Sequence, residues 1–217
     1  MILILFGPPG AGKGTQAQRL EHDRGMIQIS TGMMFRSAIA AGSTLGQKVK
    51  AILDSGGLVP DDLTVAMLAD RIKQPDCQKG FILDGFPRTL PQAEALDKML
   101  ADNGLSLTAA IQLKVDESAL TERIVGRYTC AKCGAGYHDK FKPTQVADVC
   151  DECGNDSFSR RPDDKAEVVG QRFAAYHAQT EPLLPYYKAK DQLYVVDGMA
   201  DMAEVARQID TVLAKLA

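Results

Sequence analysis

A glycine-rich segment near the N-terminus stands directly between an apolar run and an amphipathic segment. The apolar run is Ile2–Phe6, the glycine-rich segment is Gly7–Thr15, and the amphipathic segment continues from Gln16 to Arg24. When a buried strand turns through glycines into a helix, several backbone N–H groups and the helix N-terminus converge on one anion, and Lys13 adds a full positive charge. We therefore predict a site for a nucleoside phosphate. The alternative is a glycine-rich turn without a ligand.

One position of this segment departs from the common phosphate-loop pattern. Gly14 stands where a serine or threonine usually holds magnesium, and the hydroxyl comes one residue later, at Thr15. Asp84 ends the apolar run Phe81–Leu83, and an acid at the carboxyl end of such a strand is the expected magnesium-linked carboxylate, directly or through water. A turn cap is the alternative interpretation of Asp84.

Strand-like apolar runs alternate with helical patterns along the chain. The predicted strands are residues 2–6, 26–29, 81–83, 109–115 and 193–196. The predicted helices are residues 13–24, 32–41, 61–73, 90–102, 116–127, 165–187 and 201–216. This alternation predicts an α/β fold, with a phosphate-loop parallel sheet flanked by helices and ligands at the carboxyl ends of the strands.

Two segments interrupt the alternation. Residues 30–59 have a helical pattern without a strand, whereas residues 128–164 lose the helical period and are rich in cysteine, glycine, proline and polar residues. We therefore predict a core made of residues 1–29, 60–127 and 165–217, with two inserts. The second insert has too few apolar residues for a core of its own, so we expect a metal to supply its folding energy.

Four of the five cysteines form two closely spaced pairs. The pairs are Cys130 with Cys133 and Cys150 with Cys153, and residues 134–149 lie between them. This spacing predicts a structural zinc site. The alternatives are two disulfides, which a reducing cytosol disfavours, or four unrelated thiols. His138 is an alternative ligand in place of one sulfur, and Cys77 is interpreted as a packing residue.

The charge balance bears on possible partners. The formal net charge of the 217-residue chain is −3, which gives no bulk electrostatic case for nucleic acid or membrane binding. No apolar run approaches the roughly 20 residues of a membrane span, and the start of the sequence resembles no export signal. We expect a cytoplasmic monomer.

A nucleic-acid-binding zinc ribbon remains an alternative for residues 128–164, although their mixed charge fits a phosphate backbone poorly.

Arginines stand after predicted strands and at the margins of both inserts. They are Arg36, Arg88, Arg123, Arg127, Arg161 and Arg172. Each one alone is typical of a solvated surface side chain, but their positions together favour binding to phosphates. Arg123 and Arg127 are four residues apart, and we expect both on one face of one helix.

Five segments together resemble the adenylate kinase family, in particular the long-lid bacterial form whose lid carries a four-cysteine zinc site. They are Gly7–Thr15, Ser30–Gly32, Asp84–Thr89, Arg123–Arg127 and Arg161–Asp164. The resemblance covers essentially the whole chain, in order. It implies that the phosphoryl group of Mg·ATP is transferred reversibly to AMP to give two ADP, that residues 30–59 bind AMP, and that residues 128–164 form a zinc-binding lid. A UMP/CMP kinase or another nucleoside monophosphate kinase is the nearest alternative.

The resemblance also implies roles for individual residues. The implied ATP-binding residues are Gly10, Ala11, Gly12, Lys13, Gly14, Thr15, Arg123, Arg127, Gly136, Tyr137 and Ala200. The implied AMP-binding residues are Thr31, Arg36, Gly57, Leu58, Val59, Gly85, Phe86, Pro87, Arg88, Gln92, Arg161 and Arg172. The implied catalytic residues are Lys13, Asp84, Arg88, Arg127, Arg161 and Arg172. Gln92 would read the adenine edge, because an amide offers both a donor and an acceptor.

One departure from the family pattern concerns magnesium. The family usually continues the Ser-Thr-Gly motif with aspartate, but this chain has Met33. Methionine cannot accept a charged hydrogen bond from the waters of magnesium. We therefore expect weaker magnesium binding or slower turnover, with AMP binding retained.

The two inserts have an expected mechanical role. A phosphoryl group that is open to solvent is exposed to hydrolysis, so both inserts are expected to close over the nucleotides before transfer. The hinges are predicted near residues 30, 59, 127 and 164, where the strand or helix pattern ends.

Overall fold

The computed structural model describes residues 1–216 and contains a five-stranded parallel sheet. Numbered along the chain, its strands are β1 (Ile2–Phe6), β2 (Ile27–Ser30), β3 (Phe81–Asp84), β4 (Ala109–Lys114) and β8 (Leu193–Asp197). The strand order is β2-β3-β1-β4-β8, so β1 lies in the middle of the sheet. All five predicted strands form, and the predicted α/β fold with a parallel central sheet is confirmed.

The sheet has a hydrophobic core on each face, which explains why its interior strands β1 and β3 read as continuous apolar runs. Ile4 and Leu83 belong to the core on one face, and Leu3 and Ile111 belong to the core on the other. All five residues of β1 are buried. Because β1 is central and parallel to its neighbours, the loop that follows it lies at the carboxyl edge of the sheet.

Helices cover the two faces of the sheet and form the first insert. They are α1 (Lys13–Arg24), α2 (Thr31–Ala40), α3 (Thr44–Asp54), α4 (Asp61–Arg71), α5 (Leu90–Asp102), α6 (Leu120–Val125), α7 (Ala166–Ala175), α8 (Leu183–Lys188) and α9 (Met202–Ala214). No helix formed by residues 1–216 is long and apolar enough to cross a membrane.

Two helix predictions are wrong in extent. The helix predicted over 116–127 begins with a 3₁₀ turn, continues as α6 and ends at Val125, and Arg127 is the first residue of a strand. Arg123 and Arg127 therefore do not share a helix face. The helix predicted over 165–187 is divided into α7, a π-helical turn (Tyr176–Thr180) and α8, and Pro182 stands just before α8 because it lacks the N–H that a continuous helix needs.

Each insert region has its own small structure. In residues 30–59, α2 and α3 pack around Phe35, Val49 and Val59. Residues 127–159 contain a three-stranded antiparallel sheet that the sequence did not predict, made of β5 (Arg127–Cys130), β6 (Gly136–His138) and β7 (Phe158–Ser159), in the order β6-β5-β7. This sheet begins one residue before the predicted lid boundary.

Candidate active site

The phosphate loop is held by its own lysine. Gly12 has φ +89° and is the N-cap of α1, a backbone conformation that favours glycine. Lys13 Nζ donates to the carbonyl oxygens of Gly7 and Pro8, at 2.6 and 2.9 Å. Burial lowers the pKa of Lys13 to about 8; neighbouring arginines act in the same direction, and Asp84 opposes them. The loop therefore presents an ammonium group that gains from an anionic partner.

Asp84 lies beside this loop at the carboxyl end of β3. An ideal Cβ at Gly14 would stand 3.7 Å from Asp84 Oδ2 and 3.9 Å from Gln28 Nε2, so Asp84 lies directly over Gly14. Gln28 Nε2 donates to Asp84 Oδ2 at 3.2 Å. A carboxylate in this position next to a phosphate loop fits the coordination that Mg²⁺ prefers, which is one or two carboxylates plus substrate phosphates.

Four cationic side chains in and near the loop lack a carboxylate partner among the described residues. Within residues 1–216, no Asp or Glu oxygen lies within 4.0 Å of a side-chain nitrogen of Lys13, Arg36, Arg88 or Arg161. All four are half-buried. Burial lowers the pKa of Arg36, of Arg88 and, to about 9, of Arg161. The positive charges of neighbouring arginines lower these pKa values further, as expected of a site that binds a polyanion.

Two further arginines are anchored by acids. Arg127 makes a bidentate ion pair with Asp164, and Arg172 Nη1 donates to the same carboxylate at 2.8 Å. Arg172 Nη1 also lies 3.2 Å from Asp163 Oδ2. Burial alone would raise the pKa of Asp164, but the hydrogen bonds and charge of Arg127 and Arg172 keep it below its usual value. Asp164 thus joins the first strand of the lid to α7.

A second cleft lies between the first insert and the sheet. Its lining residues are Thr31, Gly32, Phe35, Leu53, Gly57, Leu58, Val59, Thr64, Gly85, Arg88 and Gln92. Seven of the predicted AMP-binding residues are thus brought together, and Arg36 lies nearby with its guanidinium over Gly32. Thr31 Oγ1 donates to the carbonyl oxygen of Gly85 at 2.9 Å, which ties the start of α2 to the loop after β3.

The buried amide of Gln92 connects this cleft to a residue that sequence reasoning missed. Gln92 Nε2 donates to Asp61 Oδ1 at 2.7 Å, and Gln92 Oε1 accepts from the backbone N–H of Arg88 at 2.8 Å. Thr89 Oγ1 donates to Asp61 Oδ2 at 2.9 Å. The acids at the start of α4 read in the sequence as ordinary first-turn residues, so only the position of Asp61 beside a predicted hinge could have indicated it.

Arg123, Gly136, Tyr137 and Ala200 are predicted ATP-binding residues outside the phosphate loop. Arg123 Nη1 donates to the carbonyl oxygen of Gly198 at 3.4 Å, and Ala200 is partly buried in the same loop. Gly136 and Tyr137 lie in β6. The Tyr137 hydroxyl contacts Cys150 Sγ at 3.2 Å and accepts from the backbone N–H of Asp151 at 2.8 Å, so this hydroxyl is engaged inside the lid.

The four paired cysteines meet in the second insert. Their sulfur atoms all lie within 4.8 Å of one another, with 3.7 Å between Cys130 and Cys153 and 3.6 Å between Cys133 and Cys150. A tetrahedral ion with metal–sulfur bonds of about 2.3 Å would place its ligand sulfurs about 3.8 Å apart. The arrangement therefore fits one tetrahedral metal ion.

The alternative ligand His138 and the fifth cysteine, Cys77, do not join this cluster. His138 Nδ1 accepts from the backbone N–H groups of Lys140 and Phe141, and its Nε2 contacts the carbonyl oxygen of Glu122 at 3.0 Å, so both ring nitrogens are engaged elsewhere. Cys77 is buried, and burial raises the pKa of its thiol. The prediction that Cys77 packs in the core is confirmed.

A phosphate loop at the carboxyl edge of a parallel sheet, a cleft beside it and a group of cations unpaired among the described residues can hold two phosphate-bearing ligands. Such a fold and site define a P-loop phosphotransferase of the nucleoside monophosphate kinase class.

Comparison with known proteins narrows this class to one family. The family model described as adenylate kinase matches residues 5–192. An adenylate kinase of Paramagnetospirillum magneticum is 54% identical over 213 residues, which cover 98% of each chain. An adenylate kinase of Rhizobium rhizogenes is 55% identical over 216 residues, which cover all of both chains, and one of Zymomonas mobilis is 53% identical over 213 residues, which cover 98% of this chain and 96% of the other. The chain belongs to the adenylate kinase family, as the sequence motifs indicated.

Proposed function

We propose that this protein transfers the γ-phosphoryl group of ATP to AMP, giving two ADP, and that the transfer is reversible. The observation that carries the proposal is a set of four half-buried cations, from Lys13 in the phosphate loop to Arg88 in the second cleft, with no carboxylate partner among residues 1–216. Phosphoryl transfer needs alignment and positive charge around the moving group more than covalent help from the protein.

Each part of the site has a proposed task in this reaction. The loop from Gly10 to Thr15 would bind the donor phosphates through its backbone N–H groups, and Lys13 would exchange its two carbonyl partners for the β and γ groups. Arg88 and Arg161 would contact the phosphoryl group and the AMP phosphate. Mg²⁺ bound with ATP neutralises charge on the β- and γ-phosphates, and Asp84 would hold it directly or through water.

The second cleft is the proposed AMP site. Arg36 and Arg88 supply charge for the phosphate, and Gln92 offers one donor and one acceptor for the base edge. The apolar residues Phe35, Leu53 and Val59 line the same cleft and would contact the adenine faces. This combination suits an aromatic base attached to a phosphate.

The two inserts are proposed to close over the nucleotides and exclude water. Gln18 Nε2 on α1 donates to the carbonyl oxygen of Gly134 in the lid at 3.4 Å, and Gly56 in the first insert packs against Val168 and Arg172. Such contacts support an arrangement in which both inserts cover the loop. We propose that residues 30–59 and 128–164 move against the remaining core, with hinges near residues 30, 59, 127 and 164.

Zinc is the proposed occupant of the four-cysteine cluster. Two sulfur pairs at 3.6 and 3.7 Å match a tetrahedral thiolate site, and zinc is the usual ion for four cysteines. The ion would have a structural role only, because four protein ligands leave no open position. A reducing compartment keeps these thiols available, which supports a cytoplasmic location.

A monomer is proposed because one chain supplies every part of the site. The phosphate loop, the second cleft and all six arginines belong to the same polypeptide. Light scattering on the purified protein in the presence and absence of nucleotides would measure the mass directly; a dimer at working concentration would contradict this part of the proposal.

Met33 is proposed to weaken the magnesium site. Its side chain is 44% exposed, near the start of α2, and offers no oxygen to the waters of a bound ion. We expect Met33→Asp to lower the magnesium concentration that gives half-maximal turnover, with the KM for AMP unchanged. A magnesium titration that is identical in both proteins would contradict this expectation.

The decisive experiment measures ADP formation from Mg·ATP with AMP, CMP, UMP or GMP as the acceptor. Turnover with AMP far above the others is expected. A preference for CMP or UMP would keep the phosphotransferase class and overturn the acceptor. The absence of turnover with all four acceptors, in folded and zinc-loaded protein, would overturn the proposed reaction.

A further inference from the structure

The side-chain amide of Gln92 is held in one orientation by two groups of unambiguous polarity. The backbone N–H of Arg88 can only donate, and it points at Gln92 Oε1 from 2.8 Å. A carboxylate can only accept, and Asp61 Oδ1 lies 2.7 Å from Gln92 Nε2, which donates to it. Rotating the amide by 180° would bring two donors together at Arg88 and two acceptors together at Asp61. The polarity of these two partners therefore fixes the orientation of the amide.

This orientation leaves a defined pattern for a ligand. A primary amide has two N–H donors and two acceptor lone pairs, and one of each is used here. The remaining N–H and the remaining lone pair of Gln92 belong to a side chain that is only 2% exposed and lines the second cleft. A 6-aminopurine offers a ring-nitrogen acceptor beside an exocyclic amino donor, whereas a 6-oxopurine offers a ring N–H beside a carbonyl acceptor. The two purines therefore require opposite orientations of the same amide.

We infer that Asp61 determines the acceptor specificity, by holding Gln92 in the orientation that accepts a 6-aminopurine and rejects a 6-oxopurine. This inference rests on the proposed function, because it concerns the base bound in the second cleft. Asp61 does not line that cleft, so it is a positioning residue that acts through Gln92.

Asp61 is itself well placed for this role. It is the first residue of α4, and its second oxygen, Oδ2, accepts from Thr89 Oγ1 at 2.9 Å. Thr89 in turn caps α5, where its hydroxyl accepts from the backbone N–H of Gln92 at 3.3 Å. The Arg88 carbonyl accepts from Thr180 Oγ1 at 3.0 Å, which holds the peptide next to the donating N–H. Both groups that orient the amide are thus fixed by neighbouring helices.

Asp61→Asn is the informative substitution, because asparagine keeps the size and shape of the aspartate side chain but can donate a hydrogen bond as well as accept one. An asparagine amide at residue 61 can turn its own N–H toward a flipped Gln92, so the carboxylate no longer opposes the flipped state. The Arg88 N–H remains, so discrimination should weaken without disappearing. Asp62→Asn is the matched control: Asp62 is the next residue in the first turn of α4, is exposed, and has the same relation to the helix N-terminus.

The test compares kcat/KM for AMP and for IMP in the unsubstituted protein and both variants. In Asp61→Asn, we expect the ratio of AMP to IMP to fall about tenfold or more, because a charge-assisted hydrogen bond fixes the amide. The kcat at saturating AMP should change little. In Asp62→Asn, the ratio should stay within about twofold of the original. Calorimetric Kd values for AMP and IMP without ATP should give the same change in ratio.

Several results would overturn the inference. One is an AMP-to-IMP ratio in Asp61→Asn equal to that in Asp62→Asn. Another is an equal loss of kcat/KM for both nucleotides, which would make Asp61 merely structural. If the unsubstituted protein does not use AMP, the proposed function itself fails, and that result is distinguishable because it appears before any variant is measured.

Discussion

At the scale of single residues, Lys13 combines a cationic role with a half-buried position. Burial lowers its pKa to about 8, so part of the ligand-free population loses this proton at pH 8.5. A bound phosphate favours the charged form and raises the pKa. The bound state then holds more protons than the free state, so binding takes up protons and affinity falls as the pH rises through about 8.

This linkage predicts a pH-dependent proton count on nucleotide binding. We expect Mg·ATP to bind with uptake of a fraction of a proton at pH 8.5 and a much smaller uptake at pH 7.0. Titration calorimetry in two buffers with different ionisation enthalpies measures that number at each pH. An equal number of protons at both pH values would contradict the assigned behaviour of Lys13.

A second residue-scale prediction concerns Gly126, in the connection between α6 and β5. An ideal Cβ at Gly126 would stand 2.5 Å from Cε1 and 2.6 Å from Nε2 of His138. The ring cannot move freely, because it is bonded to the backbone of Glu122, Lys140 and Phe141. Gly126→Ala should therefore break these contacts and lower the free energy of unfolding by about 1–3 kcal/mol.

Gly170→Ala is the matched control for this substitution. Gly170 lies in α7, and apart from its chain neighbours and the backbone of its own helix, no heavy atom of residues 1–216 stands within 4 Å of its ideal Cβ. Because alanine is the better helix former, this variant should gain about 0.5–1 kcal/mol. Chemical denaturation of both variants gives the comparison. If Gly126→Ala were as stable as the unsubstituted protein, the close packing of the His138 ring would have no energetic importance.

At the scale of elements, the sequence predicted the sheet better than the inserts. Strands β1 and β3 are buried on both faces and appear as the uninterrupted apolar runs Ile2–Phe6 and Phe81–Leu83, and the other three strands keep enough apolar residues to be recognised. The lid strands have two to four residues, too few for alternation to be visible, and their core consists partly of Cys130 and Cys150. Helix periodicity likewise could not reveal that α6 ends at Val125.

The sequence likewise predicted the site residues of the local phosphate-loop motif, but it did not predict contacts between distant segments. The glycine-rich loop has a local pattern because consecutive residues share one task. The link between Asp61 and Gln92 joins residues 31 positions apart through two side chains. No pattern within either segment encodes such a pairing, and it depends on how α4 and α5 pack. Contacts of this kind required the structure.

The lid sheet gives an element-scale prediction about metal. Its buried cluster contains Cys130, Tyr137 and Cys150, which is a small core for three short strands. Removing a structural zinc ion should therefore unfold this element and lower the melting temperature by about 10 °C or more. Removing the zinc ion should affect kcat less than it affects the melting temperature, because the phosphate loop and the second cleft lie outside the lid.

Two cysteine substitutions separate the metal site from general effects of thiol loss. Cys133→Ser removes a ligand at an exposed position and should lose the zinc, whereas Cys77→Ser removes a buried cysteine outside the cluster and should retain it. Elemental analysis and calorimetric melting test both variants. Metal-free protein that melts like zinc-loaded protein would refute a structural role for the ion.

At the scale of the whole molecule, the unpaired cations come from three parts of the chain. Lys13 and Arg88 belong to the sheet edge, Arg36 to the first insert, and Arg161 to the base of the lid. Bringing these parts together without an anion places like charges near one another in a partly desolvated site. The closed arrangement should therefore be stabilised by bound phosphates, and ligand binding should shift the population toward it.

Arg161 and its neighbour Arg160 allow this idea to be tested. Arg160 is 52% exposed and pairs with Asp139 at 2.7 Å, whereas Arg161 is half-buried and lacks such a partner among residues 1–216. Burial lowers the pKa of Arg161 to about 9, and the charges of Arg127 and Arg36 act in the same direction. Removing the Arg161 charge should reduce the repulsion between like charges in the ligand-free protein, and it should also weaken the binding of phosphates.

We expect Arg161→Gln without ligand to melt higher than the unsubstituted protein. It should gain less melting temperature from a compound with two adenosines joined by five phosphates, and its kcat/KM should fall about a hundredfold or more. Arg160→Gln should keep kcat within about twofold and melt at or slightly below the original temperature. Differential scanning calorimetry with and without the compound, together with the ADP assay, measures all of these quantities. If Arg161→Gln lost stability without ligand but kept its activity, Arg161 would serve the fold, and the electrostatic account of closure would be wrong.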